Sequence, residues 1–128
     1  MNEDKNSDVN EIEWVYCIVG NIVEKREFGE NKEIRDGTKH FRSGTKVYCL
    51  PHIGYGGTGW EDIVVMGKHR KQFRFIQIVM RRKWITNFRL KKVWDKRVIK
   101  AMRIFDQNSN EMNKEKLVEF IGFFNREL

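Results

Sequence analysis

Residues 62–80, DIVVMGKHRKQFRFIQIVM, contain the pattern that decides the fold class. Two runs rich in β-branched and aromatic residues, Asp62–Met66 and Phe73–Met80, flank the basic segment 67–72. Such runs on either side of a short polar connection predict two antiparallel strands joined as a hairpin. We therefore expect a β-rich chain built outward from this hairpin.

Three further strands are predicted on the two sides of the hairpin. Glu13–Val23 is apolar at both alternating sets of positions, which is typical of a strand covered on both faces. Gly20 within it predicts a bulge or a sharp bend. Thr45–Leu50 is a second strand that ends before Pro51, and the alternation in Phe88–Trp94 predicts a fifth strand.

Two helices are predicted after the last strand. Asp95 is a candidate N-cap for Lys96–Phe105, and Asn110 for a helix from Glu111 to about Arg126. Apolar residues recur with helical spacing in the second helix and predict a face that packs on the sheet: Leu117, Phe120, Ile121 and Phe124. The predicted fold is mainly β, in the α+β class. It is a small five-stranded antiparallel barrel over residues 13–94, followed by two C-terminal helices over residues 95–128 packed on the barrel.

The order of these elements resembles that of the SH3-like β-barrel. The shared features are a long first connection (residues 24–44), a central hairpin and a short last strand that leads into a helix. The resemblance covers residues 13–94, is at fold level only and transfers no residue roles. An OB-type barrel is the nearest alternative.

Length and apolar content indicate one domain with its own core. The chain has 128 residues, 40% of them hydrophobic, which suffices without disulfides or metals. Residues 1–12 are polar and acidic and are expected to form a mobile tail rather than a secretory leader. The longest apolar run, residues 14–19, is far shorter than the roughly 20 residues that span a bilayer. We therefore expect a cytoplasmic protein without membrane contact, in which Cys17 and Cys49 are buried and unpaired.

The charge is concentrated in the centre of the chain. Residues 1–36 carry a net −5, residues 37–104 a net +14 and residues 105–128 a net −2. A basic centre of this size indicates a polyanionic or acidic partner. The alternative is that lysines and arginines simply solubilise the sheet and protect its edges.

Sequence motifs for catalysis or cofactor binding are weak. Residues 54–59, GYGGTG, satisfy G-x-G-x-x-G but precede a strand, and an acidic residue about 20 positions later is missing. Cys49 and His52 could form a nucleophile pair only if the thiol were exposed. We therefore expect a non-catalytic protein without metal or cofactor. A Cys/His-dependent activity is the minor alternative.

A binding surface is the strongest functional signal. The candidate contacts are basic residues of the hairpin and of the last two strands: Lys68, His69, Arg70, Lys71, Arg74, Arg81, Arg82, Lys83, Arg89 and Lys91. Two clusters, 68–71 and 81–83, lie roughly 25 Å apart at the ends of one strand. His52, Tyr55 and Trp60 are candidate contacts on the glycine-rich loop. The predicted function is nucleic-acid binding through phosphates. The alternative is an inhibitor, such as a bacterial immunity-type protein, that engages an acidic partner protein.

Overall fold

A computed structural model describes residues 14–23, 38–50, 62–72, 74–104 and 114–126, with Ile104 and Arg126 described in their backbone only. Its strands are β1 (Val15–Ile22), β2 (Lys46–Cys49), β3 (Asp62–Lys68), β4 (Phe75–Arg81) and β5 (Ile85–Val93). A 3-10 helix, Arg82–Trp84, joins β4 to β5, and the two α-helices are α1 (Lys96–Ile104) and α2 (Lys114–Arg126). None of the described helices is long and apolar enough to cross a membrane. The predicted tail, residues 1–12, lies outside the described residues.

The strands form one antiparallel sheet in the order β4-β3-β2-β1-β5. The predicted hairpin pairs β3 with β4 over their whole length, from Asp62 opposite Arg81 to Lys68 opposite Phe75. The predicted fold class, mainly β with two helices after the last strand, is confirmed.

The sheet must curve strongly, because its two edge strands are consecutive in the chain. Only Arg82–Trp84 separate β4 from β5. The four steps from Arg81 to Ile85 span at most about 14 Å, whereas a flat sheet would place these strands about 19 Å apart. The edge strands therefore bend towards each other. The hydrogen-bonded order of the described strands is still that of an open sheet, so closure into a barrel stays a prediction.

Each face of the sheet packs against one helix. On one side, here called the α2 face, residues such as Ile18, Val65 and Phe88 form one apolar cluster with Leu117 and Phe124 of α2. On the other side, the α1 face, residues including Cys17, Leu50, Val64 and Met66 pack against Val98, Ala101 and Met102 of α1. β1 contributes to both clusters, as its unbroken apolar sequence predicts.

The predicted irregularity at Gly20 is present. The pairing of β1 with β5 shifts register between Val19 and Asn21, and the additional residue lies on β5, where Asn87 adopts a positive φ of 62°. Asparagine tolerates this left-handed conformation better than most residues. A Cβ added to Gly20 would lie 2.5 Å from the Cγ2 atom of Ile85, so the bulge also requires close approach of the two strands.

Candidate nucleic-acid interface

Helix α1 is fixed on the sheet by its first turn and by its apolar side. Asp95 caps the helix: its Oδ1 atom accepts a hydrogen bond from the backbone N–H of Arg97 at 2.8 Å, which confirms the predicted N-cap. The guanidinium of Arg97 donates to both carboxylate oxygens of Asp95, which lowers the pKa of that carboxyl group. The same guanidinium lies 3.8 Å from the ring centroid of Phe75 on β4. These contacts fix the rotation of α1 about its own axis.

Among the described side chains of α1, those that face away from the sheet are basic. Lys96, Lys100 and Arg103 are spaced four and three residues apart, so they form one stripe along the helix. Lys96 and Lys100 are exposed and Arg103 is half-buried. The stripe lies opposite the side that contacts the sheet and extends over about 10 Å.

The α1 face of the sheet adds basic residues around this helix. Alternation along each strand places five of them on this face: Lys46, Lys68, Arg81, Arg89 and Lys91. All except Arg89 are exposed. We call the exposed set together with the helix stripe the α1 surface: Lys46, Lys68, Arg81, Lys91, Lys96, Lys100 and Arg103.

Acidic residues interrupt this surface very little. Among the described residues up to 104, the only acids are Asp62 and Asp95. Asp95 forms an ion pair with Arg97 at 2.7 Å, and Asp62 lies 3.9 Å from Arg81. Each of these carboxylates is thus adjacent to a guanidinium, so the α1 surface has a strongly positive field.

Two of the predicted contact residues have structural roles in the hairpin connection. Arg70 donates from its guanidinium to the carbonyl of Thr38 at 2.7 Å and from its backbone N–H to the carbonyl of His40 at 2.8 Å. The Nδ1 atom of His69 accepts hydrogen bonds from the backbone N–H groups of Lys71 and Gln72 at 3.0 and 3.1 Å. Arg70 and His69 thereby hold the segment around residues 38–40 against the hairpin.

Arg82 and Arg89 also differ from the predicted exposed contacts. Arg82 is only 8% exposed, and its guanidinium donates to the carbonyl of Phe124 in α2 at 3.2 Å. Arg89 is half-buried at the bulge, where it donates to the Oδ1 atom of Asn21 and to the carbonyl of Asn87. Residues 81–83 therefore do not act as one cluster, because the side chain of Arg82 points to the opposite side from that of Arg81.

The remaining predicted contacts fall into three groups. Lys68, Arg81 and Lys91 belong to the α1 surface. Lys71 and Arg74 are exposed at the hairpin connection, and Lys83 is exposed in the 3-10 helix. The predicted loop contacts His52, Tyr55 and Trp60, like the glycine motif at 54–59, lie outside the described residues.

Sequence reasoning missed the stripe on α1 and Lys46. The signal for the stripe was present: residues 96–104 contain four basic residues and no acidic one, spaced as a helix face. Lys46 alternates with Tyr48, and its Nζ atom lies 5.3 Å from the centroid of that ring. Its place on this face becomes evident only from the pairing of β2.

The two cysteines are buried, and the two described histidines, His40 and His69, contact each other. Burial raises the pKa of Cys17 to about 12 and that of Cys49 well above its usual range. The described residues contain no group of three or more potential metal ligands. The Nδ1 atom of His40 and the Nε2 atom of His69 are 3.5 Å apart. Because the Nδ1 atom of His69 accepts two hydrogen bonds, its proton is on Nε2 and is donated to His40, where it would obstruct a metal.

Comparison with known proteins found no matching family model, no matching curated protein and no matching solved structure.

Proposed function

We propose that the protein binds nucleic acid without catalysing a reaction, and that the α1 surface contacts the phosphate backbone. The observation that carries this proposal is the stripe of Lys96, Lys100 and Arg103 on the helix side opposite the core. Protection of sheet edges accounts for the lysines on the edge strand β5. It does not account for a purely basic stripe on a helix that already has a partner on its apolar side.

The composition of the surface favours phosphates over specific base recognition. Lysine and arginine neutralise phosphates and can also contact guanine, whereas asparagine and glutamine, which typically read adenine, do not occur in residues 96–104. The exposed side of α1 consists of the former. Binding should therefore show little sequence preference and a steep dependence on salt.

The test is fluorescence anisotropy with labelled single- and double-stranded DNA and RNA at low and moderate salt. Lys96→Glu/Lys100→Glu/Arg103→Glu should abolish binding at moderate salt. Conversion of these residues to alanine should reduce the slope of log affinity against log salt by about 2 to 3. The matched control is Lys39→Glu/Arg42→Glu/Lys116→Glu, which changes the net charge equally at exposed positions away from α1.

Three outcomes distinguish the possibilities. Loss of binding in the α1 variant together with retention in the control supports the proposal. Equal loss in both variants would mean that binding depends on net charge and not on this surface. If the unmodified protein binds none of the probes, nucleic-acid binding is rejected, and an acidic protein partner should be sought by co-purification.

A further inference from the structure

A group of aromatic rings and lysines lies where the β1–β5 ladder ends. Val15 pairs with Val93 in the last antiparallel pair, so Trp14 and Trp94 each lie one position beyond it, on the same end of the ladder. Tyr16 pairs with Lys92, and Lys114 is the first residue of α2. We call this group the tryptophan corner: Trp14, Tyr16, Lys92, Trp94 and Lys114.

Two rings of the corner, those of Trp14 and Tyr16, are held in place by each other and by the lysines. Trp14 and Tyr16 pack edge to face with ring centroids 5.0 Å apart and an interplanar angle of 83°. The Nζ atom of Lys92 lies 4.5 Å from the centroid of Trp14, and that of Lys114 lies 5.4 Å from the centroid of Tyr16. Rigid rings that already carry bound ammonium groups combine an apolar surface with positive charge.

The two tryptophans remain accessible. Trp94 is 59% exposed and Trp14 is 36% exposed, although tryptophan usually buries most of its large surface. One exposed ring would need no explanation. Two indoles on neighbouring strands at the same end of the ladder, beside two lysines, form a local surface with a definite chemistry.

This corner meets the α1 surface at the end of β5, where Trp94 precedes Lys96, the first stripe residue, by two positions. Lys92 pairs with Tyr16, which packs on the α2 cluster, so strand alternation places Lys92 on the opposite face from Lys91. A polyanion that follows the stripe from Arg103 to Lys96 over about 10 Å must therefore turn around the end of β5 to reach the exposed indole of Trp94. Lys92 and Lys114 supply positive charge on the α2 side of that turn.

From this arrangement we infer that the tryptophan corner stacks an unpaired nucleobase, so that the ligand of the α1 surface is a single-stranded nucleic acid. Base stacking on aromatic rings combined with a basic groove is the usual basis of single-strand binding. Bases within an intact duplex are stacked on one another and cannot lie on the indoles. The inference rests on the proposed function and specifies its ligand.

The test compares Trp94→Ala with the unmodified protein on three labelled probes of equal length. These are oligodeoxythymidylate, the corresponding thymidine–adenosine duplex, and an abasic strand that keeps the phosphates and lacks the bases. Trp94→Ala should lower affinity for oligodeoxythymidylate about fivefold or more. Its affinity for the duplex and the abasic strand should stay within about twofold, and Trp94→Phe should restore much of the loss. Thermal unfolding should be unchanged, because the side chain is mostly exposed.

Failure of this inference can be distinguished from failure of the proposed function. If the α1 variant loses binding but Trp94→Ala binds oligodeoxythymidylate normally, the inference is overturned and the proposed function stands. An equal loss on all three probes also overturns it, because stacking would then not be involved. A change of oligomeric state in Trp94→Ala, measured by sedimentation, would instead assign the indole to an interface between copies of the chain. If the unmodified protein binds no probe, both proposals fail.

Discussion

At the scale of single residues, Arg81 and Arg82 show how little a run of basic residues reveals about exposure. The strand ends at Arg81, and the 3-10 turn that follows directs the next side chain to the opposite side. The guanidinium of Arg82 therefore lies over α2, 5.9 Å from the ring centroid of Phe124, and donates to the carbonyl of the same residue. Arg81 is half-exposed beside Asp62.

The first prediction concerns stability and uses this pair as its own control. Arg82→Met keeps much of the apolar stem but removes a buried donor, so the free energy of unfolding should fall by about 1–3 kcal/mol. Arg81→Met removes an exposed ion pair and should change the free energy of unfolding by less than about 1 kcal/mol. Urea denaturation measures both. Equal effects of the two substitutions would contradict the inward orientation of Arg82.

At the scale of elements, the hairpin connection carries basic residues and also binds the segment 38–40. We call the contact between residues 38–40 and residues 69–72 the joint. His69 accepts two backbone hydrogen bonds within the turn and donates from Nε2 to His40. Protonation of the Nδ1 atom of His40 would remove the acceptor of the bond from His69. Burial, then the neighbouring His69 and Lys39, lower the pKa of His40 below its usual 6.5. The guanidinium of Arg70, bound to Thr38, is a further positive group in this joint.

The joint predicts a specific dependence of stability on pH. A histidine whose pKa is lower in the folded state binds more protons when unfolded, so its contribution is present above about pH 6.5 and is lost as the pH falls from there through the lower folded-state pKa. Between about pH 7.5 and about pH 5.5, the unmodified protein should lose more stability than His40→Gln. Chemical denaturation at several pH values measures the difference. Parallel curves for the two proteins would show that His40 is not involved.

Most elements could be predicted because their local signals agree with the packing. The hairpin formed by β3 and β4 has apolar runs on both sides of a polar turn, and Asp95 has the expected capping role. β5 was predicted to begin at Phe88 but begins at Ile85. The left-handed Asn87 interrupts the alternation on which that prediction relied.

The candidate site was less predictable than the fold. Whether a basic side chain is exposed depends on contacts distant in sequence. Arg82 meets Phe124, and Arg89 meets Asn21 across the ladder. The stripe on α1 was visible as a spacing, but its importance depends on the opposite side of the helix being buried in the sheet. Local patterns do not contain that information.

At the scale of the whole molecule, the two faces of the sheet differ in charge. The described acids of the C-terminal helix, Glu115 and Glu119, alternate with lysines on α2, whereas α1 carries four basic residues and no acid. A field with one strongly positive side orients an approaching polyanion and raises its rate of association at low salt. The molecule should therefore bind its ligand in one orientation, with α1 towards the phosphates.

The most direct measurement is the change in backbone amide chemical shifts when oligodeoxythymidylate is added to isotopically labelled protein at low salt. The proposed interface predicts that the largest changes occur in α1 and in residues 91–94, with small changes in α2 after its first turn and around residues 38–41. If the largest changes occurred in α2 or around residues 38–41 while α1 was unaffected, the α1 surface would not be the binding site.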